Sequence, residues 1–87
     1  MLTAHHNLVK HGTLPESRRQ ALVNKPFAVR DRALGAKVEA VAFGYKELTP
    51  IIEIDGRKYR GMTWIEVSAA VERGAVPELA RLERVRC

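Results

Sequence analysis

The chain has 87 residues, which is enough for one domain and too few for two. Hydrophobic residues make up 46% of it, too many for a disordered chain, and no apolar run is long enough to span a bilayer. The formal net charge of +5 favours a polyanionic partner, either nucleic acid or an acidic protein surface.

The compartment is predicted from the cysteine and from the first residues. The single cysteine, Cys87, cannot form an internal disulfide, whereas small secreted domains usually carry several. The residues after Met1 turn polar at once, so we expect no signal peptide. These features predict a cytoplasmic protein.

The positive charge is unevenly distributed along the chain. Residues 1–48 contain eight Lys and Arg against four acids, whereas residues 49–87 contain seven against six. The first half therefore carries a net +4 and the second a net +1. We expect the electrostatic contacts with a polyanion to come mainly from the first half.

The N-terminal region is predicted to contain an irregular arm and then a helix. Residues 1–12 lack periodicity and are expected to form a mobile or irregular arm ahead of a single α+β domain over 13–87. Thr13, Pro15 and Glu16 resemble a capped helix start, and Pro26 would end the helix near residue 24.

Residues 28–45 have a mixed pattern. Leu34, Val38, Val41 and Tyr45 recur at helical spacing, and several alanines favour a helix, which is the assignment that we adopt. A strand remains the alternative, because Gly35 weakens a helix and an isolated hairpin needs a third strand to be stable.

A β-hairpin is predicted at 51–60, with Asp55-Gly56 as its two-residue turn. Counting outward from the turn places Glu53 opposite Lys58 on the solvent face. The same count places Ile52 opposite Tyr59 on the core face.

Two C-terminal helices are predicted after the hairpin. Thr63 and Glu66 form a capping-box pattern, and Gly74 is placed to end that helix. Pro77 is expected to begin a final helix over 77–84. The pair is interpreted as an αα-hairpin, with a DNA-reading helix-turn-helix as the less favoured alternative because Arg73 stands where an apolar residue should pack. The predicted fold is thus α+β, with N-terminal helices, a central β-hairpin or three-stranded sheet, and two C-terminal helices.

The sequence shows no catalytic, metal or cofactor motif. The histidines His5, His6 and His11 cluster without acidic or thiol ligands, so we expect no metal site and no cofactor. No nucleophile motif or phosphate-binding glycine loop is present, and we expect a binding protein and not an enzyme. Tyr59 and Trp64 could stack on bases, but their positions favour a place in the core.

The leading functional hypothesis is a small basic accessory protein that binds nucleic acid, DNA or RNA, mainly through phosphate contacts. The alternative is a protein–protein modulator or inhibitor that docks on a larger complex, which could itself bind nucleic acid. For every basic cluster the simpler interpretation is a solvated surface. The sequence leaves homo-oligomers open, through an unpaired hairpin edge or the last helix. The predicted nucleic-acid-binding residues are Arg18, Arg19, Lys25, Arg30, Arg32, Arg57, Lys58 and Arg60.

Overall fold

The computed structural model describes residues 13–85. The predicted N-terminal arm at 1–12 lies outside these residues. The described part is an α+β domain with two α-helices and a five-stranded antiparallel sheet. Its elements are α1 (Glu16–Leu22), β1 (Phe27–Asp31), β2 (Ala36–Phe43), β3 (Ile51–Ile54), β4 (Arg57–Arg60), α2 (Trp64–Arg73), a 3₁₀ turn (Leu79–Arg81) and β5 (Glu83–Arg84).

The sheet is a meander in which each strand pairs with the next, in the order β1-β2-β3-β4-β5. Side chains alternate between its two faces, so Phe27 and Val29 of β1 are buried while Arg30 is exposed. Both helices pack on the buried face, and we call the opposite one the outer face. Leu22 of α1 and Trp64 of α2 belong to the same buried cluster as the strand residues.

The hairpin at 51–60 is confirmed, and so is its register. Ile52 pairs with Tyr59, Glu53 with Lys58 and Ile54 with Arg57. Both turn residues have positive φ, 52° at Asp55 and 79° at Gly56, as a type I′ turn requires. Ile52 is fully buried, Ile54 nearly so and Tyr59 half-buried, which confirms the predicted core face.

The first C-terminal helix is also confirmed. The Thr63 hydroxyl accepts a hydrogen bond from the Glu66 backbone N–H, and the Glu66 carboxylate accepts one from the Thr63 N–H. Gly74 ends the helix at φ 70° in the left-handed conformation. Trp64 is buried, and its indole N–H donates to the Glu47 carbonyl at 2.9 Å. Trp64 is therefore structural, as its position predicted.

The helical assignment of 28–45 is wrong. This segment forms β1 and β2, joined by a loop over residues 32–35. The helical spacing of the larger side chains is outweighed by a period-two pattern, in which Val38, Ala40 and Ala42 face inward. The helix propensity of alanine is a weak preference, and a hairpin cannot complete a core without neighbouring strands.

The final helix at 77–84 is also wrong, and with it both the αα-hairpin and the helix-turn-helix. The segment makes a single 3₁₀ turn and then the short strand β5. Its backbone satisfies groups at both edges of the sheet: Arg30 N–H donates to the Pro77 carbonyl and Val85 N–H to the Lys58 carbonyl, each at 2.9 Å. The outer edge of β4 is thus paired with β5, not open for self-association as the sequence suggested.

The N-terminal helix is shorter than the predicted 13–24. Pro15 occupies the N-cap position and no side chain caps the helix, so the expected capping by Thr13 does not form. The helix ends at Leu22, followed by Val23 in extended geometry and by Asn24 with φ 64°. In the part of the chain that the structure describes, neither helix is long and apolar enough to cross a membrane.

Candidate nucleic-acid interface

The eight predicted basic residues are distributed over several parts of the fold. Arg18 and Arg19 lie on α1, on the helical side of the sheet, and Lys25 lies in the loop before β1. The others lie in β1, in the loop after it and in β4: Arg30, Arg32, Arg57, Lys58 and Arg60. One continuous basic surface from all eight is therefore not formed.

The two arginines of α1 already contact other groups. Arg18 forms an ion pair with Glu72 of α2, in which both side chains are about half exposed. Arg19 is half-buried and its Nη1 donates to the Glu47 carbonyl at 3.3 Å. These contacts tie α1 to the rest of the domain and leave less of its charge for a partner.

The cations of β4 also have partners on the sheet. On the outer face, Lys58 stands opposite Glu53 of β3 and Arg60 opposite Glu83 of β5. The Lys58 ammonium also lies 5.8 Å from the centroid of the Phe43 ring, a cation–π distance. Opposite charges at facing positions offset each other, so the outer face is nearly neutral here.

The facing pair on β1 and β2 is different, because it consists of two cations. Arg30 is paired in register with Lys37, and both are exposed. Facing residues on antiparallel strands have Cβ atoms about 4.5–5.5 Å apart, where like charges destabilise the sheet. Neither residue belongs to the two ion pairs found among residues 13–85.

We call residues 30–37 the basic tip. It carries three cations, at Arg30, Arg32 and Lys37, and one acid, Asp31. β2 pairs with β1 at residues 36–40 but with β3 only at residues 41–43, so the tip has no strand beside it on the β2 side. On the β1 side the backbone of Arg30 forms a parallel bridge with Glu78.

The acid of the tip shapes the loop. The Asp31 carboxylate accepts hydrogen bonds from the N–H groups of Ala33 and Leu34, at 2.9 and 3.3 Å. The Asp31 carbonyl accepts a third bond, of 2.8 Å, from Gly35, whose φ of 65° suits glycine. These bonds hold the loop, which carries the exposed residues Arg32 and Leu34 and is flanked by the exposed Arg30 and Lys37 on its two strands.

The two groups with shifted pKa values, Glu66 and Arg81, lie outside the basic tip. Burial raises the pKa of Glu66, but hydrogen bonds from Arg81 and Thr63, together with the charge of Arg81, outweigh it and hold the pKa below its usual range. The hydrogen bond to Glu66 and the negative charge of Glu66 raise the pKa of Arg81 in turn. This pair fixes the 3₁₀ turn to the start of α2, which is a structural role.

Sequence reasoning missed Lys37. The helical assignment of 28–45 gives no reason to distinguish Lys37 from the other exposed residues. Asp31 and Gly35 are typical turn residues, and a hairpin with residues 32–35 as its loop pairs Asp31 with Ala36 and therefore Arg30 with Lys37. His5, His6 and His11, where we expect no metal site, lie outside the described residues.

Comparison with protein families, curated proteins and solved structures found no match to this chain.

Proposed function

We propose that this protein binds nucleic acid through phosphate contacts made by the basic tip, with the β4 cations in a secondary role. The observation that supports the proposal is the facing pair Arg30 and Lys37. Two cations at facing positions destabilise the free sheet, and a phosphate that contacts both would remove that repulsion. The proposed partner is a polyanion met in the cytoplasm, and no chemical reaction is part of the proposal.

The rest of the basic set supports this choice. Arg32 adds a third cation on the loop, whereas Lys25 lies before β1, at the opposite end of that strand from the tip. Lys58 and Arg60 face acids on neighbouring strands, and Arg18 is bound to Glu72, so these residues have less charge to offer. The tip is the place where a phosphate would displace the fewest internal contacts.

The test is fluorescence anisotropy of labelled duplex DNA, single-stranded DNA and RNA, titrated with the full chain across a salt series. We expect affinity to fall steeply with salt, because bound phosphates release counterions. The double variant Arg30→Gln/Lys37→Gln should reduce the log–log salt slope by about 1.8, or about 0.9 for each lost phosphate contact.

The matched control is Lys58→Gln/Arg60→Gln, which removes the same net charge from the same face of the sheet. It should change the slope by less than half as much, since these cations already face acids. Equal losses for the two double variants would contradict the assignment to the tip. Absence of binding at low salt would contradict nucleic-acid binding altogether and favour a protein partner.

A further inference from the structure

The basic tip ends in an exposed leucine. Leu34 is 71% exposed in the middle of the loop over residues 32–35. A single exposed leucine is common on protein surfaces, and its surroundings decide what it means. The other large exposed hydrophobic residue in 13–85, Leu48, is 77% exposed and follows Lys46 and Glu47, whose charges offset each other.

The backbone holds Leu34 in this exposed position. Its own N–H is bonded to the Asp31 carboxylate, and the next residue, Gly35, is bonded to the Asp31 carbonyl. The base of the tip is anchored on one side by the bond from Arg30 to Pro77. Because the backbone of the loop is held in this way, the loop loses little conformational freedom when Leu34 enters a partner.

We propose that Leu34 acts as a wedge that enters a base step of duplex DNA from the minor groove, while Arg30, Arg32 and Lys37 contact the flanking phosphates. This inference rests on the proposed nucleic-acid binding and names the substrate class and the mode of contact. Proteins that bend DNA from the minor groove combine basic side chains with an inserted apolar side chain, and the basic tip carries both.

The chemistry of the groove favours duplex DNA over the other nucleic acids. Leucine is among the side chains that insert between base pairs from the minor groove, and arginine is attracted to that groove where it is narrow. A-form RNA has a wide, shallow minor groove that does not enclose a wedge in this way. Pyrimidine–purine steps such as TA unstack most easily and should be preferred.

The experiment uses the full chain and a short duplex labelled at both ends for energy transfer, with 2-aminopurine beside a central TA step. Binding should shorten the end-to-end distance and raise the 2-aminopurine fluorescence, since both report bending and unstacking. Leu34→Ala should abolish both signals and weaken binding roughly five- to tenfold while leaving the salt slope unchanged. Leu34→Met should retain both signals, because methionine is also a wedge side chain.

Leu48→Ala is the matched control, since it removes the same side chain from an equally exposed position outside the tip. It should behave as the unchanged protein in both signals. Binding of DNA without bending, or bending that persists in Leu34→Ala, would overturn the wedge and leave the proposed function intact. If the unchanged protein binds RNA duplexes and not DNA, the wedge is also wrong. If it binds no nucleic acid, the proposed function fails first.

Discussion

The two hairpins of the sheet differ in the charges that face each other across their strands. In the β3–β4 hairpin, Glu53 faces Lys58, the turn is a two-residue type I′ turn, and β5 pairs with the outer edge. In the β1–β2 hairpin, Arg30 faces Lys37, the loop is longer, and Leu34 is left exposed. At the facing positions, one hairpin pairs a cation with an acid and the other pairs two cations.

Under the proposed function, this difference distinguishes the structural surface of the sheet from the proposed binding surface. Facing charges of opposite sign add a little to stability, and facing charges of like sign subtract about as much. A small domain has little stability to spare. A pair of facing like charges, which lowers that stability, is therefore a candidate for contact with a partner. Substitutions on the two hairpins test this difference.

The largest effect is expected from the inner faces of the two hairpins. Ile52 of β3 is fully buried, and Ile52→Ala should lower the free energy of unfolding by about 3 kcal/mol because it leaves a cavity. Val38 of β2 is only half-buried near the tip, and Val38→Ala should cost about 1 kcal/mol. Urea denaturation measures both, and similar losses would mean that the tip is part of the core.

The next effect concerns the facing charges on the outer face. Lys37→Glu places an acid opposite Arg30 and should stabilise the fold by about 0.5 kcal/mol while weakening nucleic-acid binding. Lys58→Glu places an acid opposite Glu53 and should destabilise the fold by about the same amount. Thermal unfolding and anisotropy check the two predictions together. If Lys37→Glu is destabilising, Arg30 and Lys37 are not repelling each other.

The smallest effect concerns the shape of the loop. Asp31→Asn keeps an oxygen acceptor for Ala33 and Leu34, whereas Asp31→Ala removes it. Asp31→Ala should cost about 0.5–1 kcal/mol and speed amide exchange at the two residues, with no change in the β3–β4 hairpin. Hydrogen exchange followed by NMR is the measurement. Equal exchange in both variants would show that the Asp31 side chain does not hold the loop.

The sequence predicts those parts of the fold whose signals are local. The Asp55-Gly56 turn sets the register of its hairpin by counting, and Thr63, Glu66 and Gly74 mark both ends of α2. These features depend on hydrogen bonds within a few residues, so distant contacts do not alter them.

The errors occurred where distant contacts decide the structure. The alanines of β2 favour a helix locally but lie inward in a sheet that needs strands beside β3. Leu79 and Leu82 have helical spacing, yet the segment forms only a single 3₁₀ turn and then a short strand, because it pairs with β4 and meets β1. The candidate site was also predicted only in part. Arg30 and Arg32 were identified from composition, whereas Lys37 was missed because its position depends on the pairing of β1 with β2.

The central claim is that the basic tip, and not the β3–β4 hairpin or α1, contacts nucleic acid. The most direct measurement is a titration of the isotope-labelled chain with a short DNA duplex, followed by backbone amide NMR. We expect the largest amide chemical-shift changes within residues 30–37, with smaller changes on β4. Largest shifts on α1 around Arg18 and Arg19, or in the turn at Asp55, would contradict it.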